Sequence, residues 1–278
     1  IKIVNEIVKV TAIAGTHFVV IRGQGGTANV EHSDAVVITK QVVTNWALKG
    51  NITYGEDANG DSYAVACSSS GLSFVHSSPD NQDGGYNYGE VRVFDFDELG
   101  NTWVQRGQDI HGIRVSGWFG GSLAMSDDGN IIAVGSVDID DGSLTDCGAV
   151  VFYQYQLDKW GQMGQIIYGT VANGHFGLRE IDLSNDGNTF IAGAGHDGAD
   201  GYTQIYTFSK SLNRWVQRGT DIMGSDKAGL SYSNRLNGDG TIYAVSSRIG
   251  STSAQYGYVD VFRWDGLNHI GLGQRILG

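Results

Sequence analysis

Four carboxylates crowd one short stretch, Asp138-x-Asp140-Asp141-Gly142 with Asp146 following. Alternate carboxylates around a glycine turn can wrap a hard cation such as calcium in oxygen ligands. The spacing is irregular for a calcium loop, and solvated turn aspartates are the plainer alternative. His196, Asp197 and Asp200 offer the same chemistry with fewer oxygens, while Asp80 and Asp83 read as turn residues. Aromatic side chains form a second candidate site. Trp118, Phe119, His175 and Phe176 precede predicted inner strands, and Tyr86 and Tyr88 lie in a long polar loop. Rings beside Asp and Asn can stack on a sugar face, although packing competes as an explanation because large rings are core material.

Catalysis finds less support. Glycoside cleavage needs a positioned acid and a second carboxylate. On the predicted inner strands only Glu180 and Asp182 qualify, and they share one strand. The seven histidines show no metal-ligand spacing, and no Ser-His-Asp set stands out. The sequence therefore reads as that of a non-enzyme. Asn51-Ile52-Thr53 is a glycosylation sequon in a connector expected to be exposed. The two cysteines make no disulfide framework: Cys67 reads as a small buried core residue, and Cys147 as the end of a polar loop near the opposite face.

A repeat must position these groups. Trp46, Trp103, Trp160 and Trp215 are spaced 57, 57 and 55 residues apart, each opening the phrase W-x-x-x-G-x-x-x-x-G. A fifth copy keeps Gly273, Ile276 and Gly278, with His269 in the tryptophan position. The phrase divides the chain into units at about 1–55, 56–112, 113–169, 170–224 and 225–278. In the third unit, alternating residues 122–126 lead through Asp127-Asp128-Gly129 to 131–134; a polar loop follows, then 149–155, then a strand predicted from 160 to 167. Glycine closes each first hairpin, where a tight turn needs positive φ. No sustained helical period occurs. Four-stranded units repeated around an axis are β-propeller blades, so the expected fold is an all-β propeller of five four-stranded blades in one domain over 1–278. The tryptophans are expected to pack between adjacent blades.

Strand parity places the long loops, about 23–33, 77–88, 136–147, 194–201 and 247–255, on one face. Variable loops over a rigid scaffold tend to carry function, which makes that face the expected binding surface.

The series F-G, L-S-x-D-G, A-x-G, V-x-V-F and W-x-Q-x-G resembles the FG-GAP/integrin-α-like propeller repeats. It is carried by Phe119-Gly120, Phe176-Gly177, Leu183 to Gly187, Ala192-Gly193, Val91 to Phe94 and the Trp phrases. The resemblance covers units two to five and fits unit one poorly. It implies an extracellular or cell-surface protein with an adhesion, matrix or ligand-binding role. The integrin-type D-x-D-x-D-G calcium loop between the first two strands is replaced by a short S-x-D-G hairpin, which puts calcium at the hairpins in doubt.

Charge narrows the partners. The formal net charge is −12 without a basic stripe, which disfavours nucleic acid. No apolar stretch is long enough to cross a bilayer as a helix. The chain starts at Ile1, which reads as a processed or excised segment. The expected function is a non-catalytic extracellular module that binds protein or glycan at a cell surface through the long-loop face. A structural subunit of a fibre or surface layer, assembling with copies of itself, is the alternative; a glycan-active enzyme is a more distant one.

Overall fold

The computed structural model describes residues 2–3, 6–7, 9–14, 17–21, 48–51, 53, 62–179, 181–195, 201–224, 230–247 and 257–278. The chain divides into two compact units, Ile1–Leu48 and Lys49–Gly278. In the first, Lys9–Ala14 pairs antiparallel with His17–Ile21, with a register shift between Val10 and Ala12. Lys2–Ile3 pairs with Glu6–Ile7. Trp46 lies outside the described residues.

The second unit is an all-β propeller array of four antiparallel blades with no helix among the described residues. Blade two runs from Val65–Cys67 outward through Ser73–Ser78 and Glu90–Asp97 to Thr102–Gln105. Blade three uses Phe119–Met125, Ile131–Ser136, Ala149–Gln156 and Lys159–Gln162. Blade four uses Asp182–Leu183, Thr189–Ala194, Tyr202–Ser209 and Arg214–Gln217. Blade five uses Leu230–Leu236, Ile242–Ser247, Tyr258–Trp264 and His269–Gly271.

Each blade also carries a short fifth strand that the repeat did not announce. Ile110–His111, Ile167–Tyr168, Ile222–Met223 and Ile276–Leu277 turn back to pair with the start of their blade's third strand. The predicted continuous strand from Trp160 to Ile167 is thus broken after Gln162. The break follows from Gly164, whose φ of 72° leaves the extended region.

Packing between blades explains the tryptophan phrase. Val75, Val91 and Val93 of blade two meet Ile132, Val134, Val151 and Trp160 of blade three. Phe152 and Val150 of blade three meet Phe190, Ala192 and Trp215 of blade four. Ile191 and Ile205 of blade four meet Tyr243 and Val245 of blade five. Each ring drops into a seat on the preceding blade. A side chain added at Gly107 would start 2.9 Å from Trp160 Cδ1, and one at Gly164 would start 3.0 Å from Trp215 Cδ1. Gly50 makes the same seat for Trp103, and Gly219 makes it for His269.

Polar bonds close each latch. Trp160 donates its backbone N–H to Gln108 Oε1 at 3.0 Å and its indole N–H to the Arg106 carbonyl at 2.8 Å. Gln108 Nε2 returns a bond to the Trp160 carbonyl at 2.8 Å. Gln165 and the Met163 carbonyl treat Trp215 in the same way. For Trp103 the partners are Asn51 Oδ1 and the Lys49 carbonyl. The indole thus buries its apolar body while keeping its donor satisfied, as a buried tryptophan requires.

Candidate functional site

The inner strands of blades two to five line an open cavity of about 640 Å³. Its wall holds Ala64–Cys67, Gly121–Met125, Leu178, Arg179, Ile181, Asp182, Tyr232, Ser233 and Arg235. On a strand, alternate residues face opposite sides. In Val65–Cys67 this turns Ala66 into the interblade core and Val65 and Cys67 outward, both exposed. The expectation that Cys67 is a buried core residue is corrected: the run is apolar on both faces, so its period could not show which face is open. Cys147 is the fully buried thiol and donates to the Ile139 carbonyl at 3.3 Å. Burial pushes its pKa up. Both cysteines are free.

Three ionic side chains from adjacent blades share this cavity. Asp182 Oδ2 accepts the Leu236 backbone N–H at 2.7 Å, and Oδ1 accepts that of Leu183 at 3.0 Å. These bonds tie the inner strands of blades four and five and fix the carboxylate. Arg235 donates to the Asn234 carbonyl at 3.0 Å. The Arg179 guanidinium lies 4.7 Å from the Tyr232 ring centroid, a cation–π distance. Arg179 Nε is buried and has no hydrogen-bond partner among the described residues. A guanidinium with unused donors beside an open cavity suits a planar anion such as carboxylate or phosphate. Sequence reasoning surveyed the inner strands for carboxylates and missed the two arginines. Glu180 lies outside the described residues.

The long loops hold the other predicted residues. Phe119 and Phe176 are fully buried in the interblade cores and cannot meet a ligand. Backbone bonds anchor the chain at these places: Phe176 N–H donates to the Cys147 carbonyl at 2.8 Å, and Trp118 N–H, just before Phe119, donates to that of Asn87 at 3.1 Å. Trp118 is partly exposed, donates its indole N–H to Asp80 Oδ1 at 3.0 Å and packs 4.9 Å from Tyr63. Tyr86 is exposed, whereas Tyr88 packs over Gly84. The six rings are therefore divided between core and surface.

The acidic loop of blade three is held by protein donors. Arg114 Nη1 lies 2.6 Å from Asp140 Oδ2, and Asp140 Oδ1 accepts the Asp146 N–H at 2.9 Å. Asp141 Oδ1 accepts the backbone N–H groups of Ser143 and Leu144. His175 Nδ1 is 3.1 Å from Asp138 Oδ1. Hydrogen bonds hold the Asp140 and Asp141 carboxyls below the ordinary range. Among the described residues, the set of three potential metal-binding side chains with mutually close ligand atoms lies elsewhere, at Glu90, Asp109 and His111. Asn51 is exposed, and its side-chain oxygen serves the Trp103 latch. His196, Asp197 and Asp200 lie outside the described residues.

No family model matches the chain, and no curated protein matches it in sequence. Its fold is similar to those of solved β-propeller structures. Hydrazine synthase from Kuenenia stuttgartiensis is 14% identical with a TM-score of 0.52, over 82% of this chain and 53% of that one. The periplasmic gluconolactonase of Pseudomonas aeruginosa is 16% identical with a TM-score of 0.51, over 77% and 56%. A protein named as a 6-phosphogluconolactonase from Bacteroides fragilis is 12% identical with a TM-score of 0.52, over 98% and 68%. The chain thus spans just over half the length of the first two. Identities this low show the fold alone.

These neighbours correct the functional expectation. The sequence was read as a non-catalytic adhesion or structural module, yet the propellers it is similar to are named as enzymes, two of them lactonases. The non-enzyme reading rested on a survey of the inner strands for paired carboxylates, which passed over the arginines beside Asp182.

Proposed function

We propose that this propeller is an enzyme that binds a small, anionic, hydroxyl-rich molecule in its central cavity and hydrolyses a lactone-type ester. The observation that carries the reading is the convergence of Arg179, Asp182, Tyr232 and Arg235 on one open cavity. Its size suits a small-molecule site. The lactonase names among the fold neighbours supply the substrate class. Arg179 and Arg235 bind the carboxylate or phosphate of the substrate, and Tyr232, Ser122 and Ser233 meet its hydroxyls. The Asp182 carboxylate, held by two backbone N–H groups, takes a proton from water as the oxygen adds to the lactone carbonyl. The intermediate then collapses, the ring C–O bond breaks, and the proton passes to the leaving ring oxygen, giving an open hydroxy acid.

The test is acid release in a pH-stat from glucono-1,5-lactone and 6-phosphogluconolactone. Turnover above the spontaneous rate is expected with 6-phosphogluconolactone, whose phosphate meets the arginines, and to a smaller degree with the neutral glucono-1,5-lactone; Asp182→Asn should lose about 10²–10⁴-fold as for removal of a general base. Spontaneous rates with both lactones, together with no binding of gluconate or 6-phosphogluconate by calorimetry, would overturn the proposal.

A further inference from the structure

Because the blades repeat, each position can be compared with its equivalents, and blade two breaks the pattern. Across its second, third and fifth strands, Ser78, Glu90 and His111 stand directly opposite one another. The same row reads Ser136, Ala149, Tyr168 in blade three and Ala194, Tyr202, Met223 in blade four. In blade five it reads Ser247, Tyr258, Leu277. Only blade two of these four puts a carboxylate in the middle of the row and an imidazole at its end. The next row on the same face is His76 opposite Arg92, where blade three has Val134 and Val151. Charge in a repeat position that elsewhere holds apolar or neutral side chains is costly unless it is paired or coordinates a metal.

Part of the cost is met by an ion pair. Glu90 is 2% exposed, and its Oε1 lies 2.9 Å from Arg92 Nε. The other oxygen, Oε2, faces His111 Nδ1 at 3.8 Å and Asn81 Nδ2 at 3.4 Å. Asp109 immediately precedes the short fifth strand, and its Oδ1 accepts Gln105 Nε2 at 2.6 Å. One ligand atom each from Glu90, Asp109 and His111 lies within 4.8 Å of the others. A small rotamer adjustment brings such a set to the separations spanned by metal bonds of about 2.0–2.2 Å.

A second observation points to a ligand here. Ser78 is 3% exposed and its hydroxyl has no hydrogen-bond partner among the described residues. Directly opposed residues of an antiparallel pair project from the same face, so this hydroxyl stands beside the Glu90 carboxylate. His76, 7% exposed and one row away on that face, likewise leaves both ring nitrogens without a partner. Buried polar groups are ordinarily satisfied, and two such groups beside a carboxylate–imidazole set call for an explanation.

We propose that Glu90, Asp109 and His111 bind a divalent transition-metal ion of the zinc or manganese type. Mixed carboxylate and imidazole donors suit such ions better than calcium, which takes oxygen ligands. Arg92 orients the carboxylate from outside the ligand set. The site belongs to blade two and lies outside the residues that line the central cavity.

The test uses the whole chain carrying Cys67→Ser, so that the exposed thiol contributes nothing. After chelation and dialysis, Zn²⁺ is titrated by calorimetry and bound metal is measured. One equivalent is expected, with at least a tenfold loss of affinity in His111→Ala and in Asp109→Asn, the scale on which even supporting residues act. His111 is 43% exposed, so its replacement leaves the fold intact, whereas Glu90 is buried in an ion pair with Arg92. Co²⁺ should give a visible spectrum that changes on loss of His111. No binding at micromolar Zn²⁺, or binding unchanged by both variants, would overturn the proposal.

Discussion

Replacing Gly164 by Ala tests whether the glycines of the tryptophan phrase are seats or merely turns. Two penalties add at this position. Its φ of 72° costs an L-residue about 1–2 kcal/mol. The new methyl would start 3.0 Å from Trp215 Cδ1 and 3.1 Å from Phe208 Cε2, overpacking that costs about 1–3 kcal/mol. Alanine restricts the unfolded chain and returns about 0.4–1 kcal/mol. The expected loss is therefore about 1–4.5 kcal/mol, or roughly 2–18 °C in Tm for a unit of this size. Gly142→Ala is the control: its φ is 96°, but nothing lies within 4 Å of the added methyl, so only the backbone penalty applies and, with the same return from the unfolded chain, the loss is about 0–1.5 kcal/mol. Gly161→Ala has neither penalty and should be near neutral. Urea midpoints and tryptophan fluorescence of the three variants give the comparison. If Gly164→Ala is no worse than Gly142→Ala, the seat does not hold the ring and the account of the latch is wrong.

Three further outcomes follow from the same contacts. Trp215→Ala empties a site where the ring is 1% exposed and should cost about 3–5 kcal/mol by denaturant unfolding; a loss below 1 kcal/mol would mean the blades pack without it. A maleimide should label one thiol in the native chain, Cys67, with Cys147 reacting only on unfolding, and a bulky adduct at Cys67 should abolish lactone turnover or binding; labelling of both at equal rates would contradict the burial. Burial, aided by Arg92, lowers the His76 pKa to about 4 from 6.5, so the folded chain resists a proton that the unfolded chain accepts. The stability is complete above pH 6.5 and falls toward pH 4, by about 3 kcal/mol at 1.4 kcal/mol per pH unit. His76→Leu should flatten urea midpoints measured between about pH 7 and about pH 4.5, and an unchanged slope would refute the assignment.

Much of the fold was legible because its main signal is periodic. The tryptophan spacing located the outer edge of blades two to four, and the hairpin glycines located the first turns. The spacing also marked His269 as the stand-in ring of blade five, where its Nε2 contacts the Thr220 carbonyl at 3.0 Å. The fifth strands were missed because two residues such as Ile110–His111 carry no period. That omission hid the set at Glu90, Asp109 and His111, since only the return of the fifth strand to the third brings them together. The cavity was missed for a related reason. Asp182 and Arg235 sit on strands whose open face alternation alone does not identify, and Arg179 sits in a bend ahead of one of them. Phe119 and Phe176 were ambiguous between core and ligand contact, and burial decided for the core.

The latch has a direction. Every seat lies earlier in the chain than the ring it receives, so each of blades two to five clasps to what precedes it through Gly50, Gly107, Gly164 or Gly219. Coupling of this kind runs between nearest neighbours, and the array approaches a one-dimensional cooperative system rather than a single indivisible core. A weakened joint at Gly164 would then leave two shorter cooperative segments instead of softening the whole. Hydrogen exchange would register this as two groups of amides opening with separate free energies on either side of the joint, where the intact array opens as one. On this reading the repeated Gly–Trp pairing sets how far a local perturbation travels along the chain, as well as how tightly any one blade is held.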